Sequence, residues 1–273
     1  MDETPADPSA KRTAAARVLA LLGAFSRGGG SLNLSEISRY ADLSLTTTHR
    51  LAKEVLEWGG LEQDCDGRYR LGRKILDLAS ASTDALRLRE MVLPHLVDLH
   101  RYTGLTVHLA ARDGADVVYL EALRAHPNYT GENKIGGRMR LHATATGLVL
   151  LAHSASEVVD EYVREPMKVY TPKTIRDEQT LRESLKIVRR QGFAIGSQFV
   201  TMRAGSIAAP IVNAEGVVDA AVGVVYLLGE SDPNRLADHV RAAANRMSRA
   251  LAEKPAPLDP RTIEFNRRHA GFA

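Results

Sequence analysis

The sequence predicts an α+β protein in two parts: an N-terminal winged helix-turn-helix, then a larger α+β domain on an antiparallel sheet. Three observations carry this. Two short helical stretches joined by a tight turn lie between residues 33 and 55. Asp66-Gly67, between two strand-like runs, then signals a hairpin. Beyond Gly104 the strands come as hairpins, 106–112 with 116–123 and 206–212 with 217–227, with helical stretches before and between them.

The elements follow in order. Residues 1–10 are acidic and Pro-rich without an apolar core, and are expected to be a disordered tail. Val18, Leu21, Leu22 and Phe25 stand at helical spacing in residues 13–26, and Gly28-Gly29-Gly30 ends that helix. Asn33 with Glu36 reads as a capping box opening the next one. Asp42-Leu43 turns the chain into a third helix capped by Ser44. There Thr48, Leu51, Ala52 and Val55 share one face and point at a core. Thr46, Thr47, Arg50 and Lys53 occupy the other side, short hydroxyls first and long cations after. Such a face suits a DNA major groove, with early residues at base edges and later ones at phosphates. It is equally what a solvated helix shows, and the flanks decide for DNA. Residues 61–63 and 68–71 make the hairpin, a wing with Arg68 and Arg70 on one face and Tyr69 and Leu71 on the other. These arginines are expected to reach the DNA backbone or minor groove. Residues 11–74 hold 11 Lys and Arg against 7 Asp and Glu, net +4, while the whole chain is only +3. The basic excess therefore sits where phosphates need it.

Residues 73–88 continue helically, with Ile75, Leu76 and Ala79 as a stripe that a second chain can cover. A helix over 89–102 precedes the first hairpin. Residues 124–138 read as a loop, and 141–152 as a helix rich in small residues. An amphipathic helix ends near Arg190, a strand opens at Gly192, and a last helix spans 234–252. Residues 254–273 read as a tail.

The length of 273 residues accommodates two domains. Hydrophobic content of 44% and charge of 25% are those of a soluble globular chain. One cysteine, Cys65, excludes an internal disulfide and a Cys-rich zinc site. No run reaches the roughly 18 apolar residues of a membrane span, and no signal peptide opens the chain, so a cytoplasmic location is expected. Nine histidines invite a metal, but His95 and His100 stand five apart and no His-Glu-x-x-His run occurs. Neither a P-loop nor a nucleophile elbow is present. No metal, cofactor or catalytic residue is expected.

Residues 43–51, the wing's Arg68-Tyr69-Arg70-Leu71-Gly72, and Leu141-His142-Ala143-Thr144-Ala145 followed by Gly147 resemble the IclR family of bacterial transcriptional regulators. The family's recognition helix usually opens Pro-Lys-Ser-Thr-Val-His-Arg. Thr47, His49 and Arg50 match it, Ser44 and Leu45 replace the Pro and Lys, and Thr48 replaces the Val. Losing the Lys suggests a different operator, not lost DNA binding. Leu148 stands where a Lys usually follows Gly147. The resemblance covers about residues 11–253 and implies a wing ending at 72, a linker helix over 73–88 and a GAF/PAS-like effector domain over 89–253. It implies operator DNA as partner, a homodimer or dimer of dimers, and a cavity between the sheet and the helix opened by 141–147.

Small residues Ala143, Thr144, Ala145, Thr146 and Gly147 let a ligand approach the helix N-terminus, where free N–H groups favour anions. They serve tight helix–sheet packing equally well. Family members that bind small oxo-acids tend to line the cavity with an Asp, a Cys and two Ser. By spacing, the matching positions are Gly196, Ser206, Gly223 and Val225, where only Ser206 is polar. A roomier, more apolar cavity for an aromatic or branched carboxylic acid is expected. His108, His142 and Ser206 are the candidates to orient it, although a lone strand histidine is commonly a core residue. Two rival expectations are an enzyme fused to a DNA-binding domain and a constitutive DNA binder with a vestigial pocket.

Overall fold

A computed structural model describes residues 12–28, 30–80, 83–125 and 135–253. The expected tails and most of the 124–138 loop lie outside the described residues. The chain divides into two compact units between Leu86 and Arg87.

The first unit is built from α1 (Ala14–Gly28), α2 (Leu34–Ala41), α3 (Leu45–Trp58), β1 (Leu61–Gln63), β2 (Tyr69–Leu71) and α4 (Arg73–Ser80). The capping box forms: Asn33 Oδ1 accepts from the Glu36 amide at 2.8 Å, and Glu36 accepts from the Asn33 amide at 2.8 Å. Asp42 takes the left-handed conformation (φ 54°) that ends α2, which Asp enters more readily than most non-glycine residues, and its carboxylate pairs with Arg12 at 3.2 Å. Ser44 caps α3 by accepting from the Thr47 amide, and Gly59 (φ 83°) closes that helix. Thr48, Leu51, Ala52 and Val55 are all buried in a core with Leu21, Phe25, Ile37, Leu61 and Tyr69. Leu32 and Tyr69 exchange backbone hydrogen bonds, so the wing is pinned to the α1–α2 connection, a pairing no local pattern announced. Leu71, expected on one face with Tyr69, is exposed at 43% while Tyr69 is buried.

The second unit carries a six-stranded antiparallel sheet in the order β5-β4-β3-β8-β7-β6. Its elements are α5 (Thr83–Thr103), β3 (Thr106–Asp113), β4 (Asp116–Leu123), β5 (Arg138–Arg140), α6 (Ala145–Ala152), α7 (Ser156–Tyr162), α8 (Glu178–Gln191), β6 (Ala194–Ser197), β7 (Ala204–Val212), β8 (Val218–Leu227) and α9 (Pro233–Ala252). The expected division between a helix over 73–88 and another over 89–102 is replaced by α4 and α5, since nothing at 88–89 breaks a helix. β5 and α7 were not expected: both are short and gain their partners from β4 and the core, not from periodicity.

One sheet face packs α5 and α9 through Leu96, Leu109, Val222, Val240 and Met247. The other packs α6 and α8 through Ala110, Tyr119, Leu148, Leu151 and Leu185. α6 is buried at every position, so no amphipathic period marks it. A single 3₁₀ turn, Leu141–Ala143, precedes it. A Cβ on Gly147 would stand 2.1 Å from the Leu141 carbonyl oxygen, so the third position of α6 must carry no side chain. Gly147→Ala should therefore destabilise the second unit by about 1–3 kcal/mol through overpacking. A urea midpoint equal to wild type would refute that close approach.

Candidate nucleic-acid interface and effector cavity

On α3, Thr46, His49, Arg50 and Lys53 are exposed, and Thr47 is half-buried. Ser44 Oγ donates to Thr47 Oγ1 at 2.9 Å while accepting the Thr47 amide, so the Ser44 hydroxyl is spent on the cap. Arg50 pairs with Glu54 at 2.5 Å, both more than half exposed. Such a surface pair contributes little and gives way readily to a phosphate or base.

The wing arginines differ from expectation. Arg68 donates to Ser31 Oγ (3.2 Å), to the Ser31 carbonyl (2.7 Å) and to Glu36 (3.0 Å). It ties the wing to the capping box of α2, so its donors are engaged within the protein. The Asn33 amide first, and the Arg68 guanidinium after it, hold the Glu36 carboxylate below its ordinary range. Arg70 pairs with Asp64 at 3.0 Å and lowers that carboxylate too. Residues 61–71 hold Glu62, Asp64 and Asp66 against two arginines, so the domain's basic excess lies outside the wing.

The cavity lies between the sheet, the start of α6 and the segment joining β6 to β7, and has about 550 Å³ of space, open mouth included. His108, Tyr119, Ala143, Thr144, Ala145, Thr146, Ser206 and Val225 line it, joined by Gly196, Phe199, Val200 and Thr201. Register explains the grouping. Gly196 pairs with Ser206, Ser206 with Val225, Val225 with Thr106 and Gly223 with His108, so all share one sheet face. Strict alternation would put Tyr119 and Glu121 on one face. A register shift instead pairs Tyr119 with Ala110 and Glu121 with Leu109. Tyr119 then meets the cavity and stacks on His108, ring centroids 4.7 Å apart. Glu121 is turned to the α5 face, where Arg89 holds it at 2.6 Å.

Thr144 caps α6: its Oγ1 accepts from Gly147 N (3.0 Å) and its carbonyl from Leu148 N (2.9 Å). The Ala145 and Thr146 amides are the first-turn donors that the helix does not use internally. Both residues line the cavity.

Three expected effector residues lie elsewhere. Gly147 is packed on Leu141, as above. Gly223 lies beneath Thr146, where a Cβ would stand 2.9 Å from Thr146 Cγ2 and 3.1 Å from the Ile207 carbonyl; it seats α6 on the sheet and leaves no space to fill. His142 is fully buried, with Nε2 2.9 Å from the Lys168 carbonyl and Nδ1 2.6 Å from the Tyr162 hydroxyl. A carbonyl only accepts, so Nε2 carries the proton, and Tyr162 donates to Nδ1 while accepting from the His142 amide. Burial pushes the His142 pKa below its ordinary 6.5 and the Tyr162 hydroxyl above its usual value. Both residues are latches holding the segment after α7. Phe199, Val200 and Thr201 were missed because they stand in a connection without periodicity. Among the described residues no group of three or more His, Cys, Asp or Glu side chains could hold a metal ion, and no helix is long and apolar enough to cross a membrane.

A winged unit with an exposed hydroxyl-and-cation helix, followed by a domain with a cavity at the start of α6, fits a ligand-responsive transcription factor. The IclR helix-turn-helix model matches residues 14–64 and the bacterial transcriptional regulator IclR C-terminal model residues 80–249. The chain belongs to the IclR family of bacterial transcriptional regulators. It is 30% identical over 240 residues to the HTH-type transcriptional regulator XynR of Escherichia coli K12, covering 86% of this chain and 95% of that one. It is 30% identical over 234 residues to the p-hydroxybenzoate hydroxylase transcriptional activator of Acinetobacter baylyi, covering 82% and 85%. An IclR homolog of Microbacterium hydrocarbonoxydans, solved with 4-hydroxybenzoate, superposes with a TM-score of 0.81 at 33% identity, covering 88% and 99%. These relatives are regulators, and the fused-enzyme alternative falls with them.

Two outcomes follow. Arg68→Ala should lower the melting temperature of the winged unit while leaving the salt dependence of operator binding unchanged, because its donors face Ser31 and Glu36. A salt slope shallower by about one unit would restore a phosphate role. His142 titrates with the opposite sign to a gained ion pair. Its folded pKa is depressed, so the unfolded chain takes up the proton first as pH falls. The stability it contributes is whole above 6.5 and is lost as pH falls from there through the lower folded value. His142→Gln should flatten the fall in melting temperature over that window; an unchanged curve would refute the latch.

Proposed function

We propose that this regulator senses an aromatic carboxylic acid of about the size of benzoate, and that the acid changes its grip on operator DNA. The carrying observation is the cavity's composition. Tyr119, Phe199, His108 and Val225 supply apolar and aromatic walls, while Gly196 and Val225 occupy positions where small oxo-acid binders tend to carry polar groups. The ring's burial, roughly 150 Å² at about 25 cal/mol per Å², contributes about 4 kcal/mol. The carboxylate meets the Ala145 and Thr146 amides, and Ser206 or Thr201 bonds a ring substituent. The named 4-hydroxybenzoate complex and the hydroxybenzoate-related activator support this reading.

Thr46, Thr47, His49, Arg50 and Lys53 read the major groove, in the bacterial cytoplasm. The regulator acts as a homodimer or a dimer of dimers. Leu76 and Leu78 on α4 support that, at 70% and 57% exposure, since large apolar side chains left this exposed favour a covering partner.

Titration calorimetry with 4-hydroxybenzoate and glyoxylate tests the effector class. The aromatic acid should bind more tightly, and at a hundred times its Kd should stabilise the fold by about 2.7 kcal/mol. Val225→Phe, which fills the cavity from β8, should abolish that binding and leave unliganded operator affinity intact. Tighter binding of glyoxylate would overturn the reading. Arg50→Ala should cost about 1–3 kcal/mol of operator discrimination without a change in melting temperature. An unchanged gel-shift titration would remove Arg50 from the interface.

A further inference from the structure

The cavity's outer wall, Phe199 to Thr201, belongs to no helix or strand. Its backbone is nevertheless held from behind. Thr171 Oγ1 donates to the Gln198 carbonyl and Thr174 Oγ1 to the Phe199 carbonyl, each at 2.5 Å. Both threonines are buried, at 7% and 4% exposure. They come from one four-residue stretch, Thr171-Pro172-Lys173-Thr174, and neither lines the cavity. The stretch is itself braced, for Thr174 Oγ1 accepts from the Tyr170 amide (3.1 Å) and the Thr171 amide (2.9 Å). The Lys173 amide donates to Thr171 Oγ1 at 3.1 Å. Each hydroxyl thus uses both its donor and its acceptor capacity.

The segment they hold is under constraint. Gln198 has φ 62°, the left-handed region that a non-glycine side chain enters only when its surroundings insist. Its amide donates to the Ala204 carbonyl (3.0 Å) and its Nε2 to the Met202 carbonyl (3.0 Å), closing a loop over 198–204. Phe199 also presses on the strand beside it: a Cβ on Gly196 would stand 3.0 Å from Phe199 Cδ2. A shift of the Phe199 backbone would therefore move the wall that faces Ser206 and Gly196.

We propose that Thr171 and Thr174 are positioning residues for effector recognition: two buried hydroxyls that clasp the Gln198 and Phe199 carbonyls, fix the Phe199–Thr201 wall and so set effector affinity without touching the effector. This rests on the effector reading of the cavity; the clasp itself does not. Polar side chains buried this completely persist where their hydrogen bonds are made, and here the acceptors are the backbone of the wall. Losing a hydroxyl frees the wall and leaves its carbonyl without that donor.

The test uses the full chain with Thr174→Val, which keeps the shape and removes the hydroxyl, Thr171→Val as an independent break, and Thr174→Ser, which restores the donor. Amide hydrogen exchange is read first without ligand, then 4-hydroxybenzoate is titrated by calorimetry. Each Val variant should speed exchange within residues 198–204 while leaving α3 and the β3–β8 ladder protected. The Kd for 4-hydroxybenzoate should rise about tenfold, and Thr174→Ser should recover both readouts. Unliganded operator affinity should stay at the wild-type value. Wild-type exchange of 198–204 in both Val variants would overturn the clasp. So would exchange that rises evenly through the domain, or a Ser variant as weak as the Val one. Failure of the wild type to bind any aromatic acid overturns the effector reading instead, and the clasp then stands or falls on exchange in the unliganded protein.

Discussion

The close approach between the start of α6 and the sheet is the constraint on which the second unit depends. Gly147 lies against the Leu141 backbone and Gly223 against Thr146, and neither position has room for a Cβ. Only backbone and small side chains can meet there. That proximity leaves the Ala145 and Thr146 amides at the cavity wall, with Thr144 capping the remaining donor. It also explains why α6 is apolar all round: the sheet lies on one side and α8 on the other.

Around that contact, polar residues in the interior serve the architecture. His142 and Tyr162 form a neutral pair that holds the Lys168 carbonyl, and Thr171 and Thr174 hold the segment between β6 and β7. Both sets act on connections that lack a ladder of their own, where backbone groups must find side-chain partners or water. Glu121 is a third case. It is 4% exposed, offset by Arg89 and by the Ala122 amide, which donates to its other oxygen. A buried carboxylate is tolerated only with such partners.

In the first unit the comparable device is Arg68. One guanidinium joins the wing, the α1–α2 connection and the carboxylate that caps α2. α3 then has its cap on Ser44 and keeps His49, Arg50 and Lys53 exposed.

The sequence by itself determined what depends on neighbours a few residues away. The capping box at Asn33, the Ser44 cap, the buried stripe of α3, the Asp66-Gly67 turn and the two large hairpins were legible because their signals are local. Seven of the ten residues expected at the effector site, Ala143 to Thr146 of the 141–147 motif among them, line one cavity on one face of the sheet. Only the tertiary structure decided the roles of Arg68, His142, Gly147 and Gly223, because each depends on a partner far along the chain or in another element. The same holds for Tyr119, which reaches the cavity through a shift in register, and for Phe199, whose place is set by hydroxyls 25 or more residues away. A residue's chemistry is written in its side chain, but whether that chemistry faces a ligand or a neighbouring strand is settled by packing.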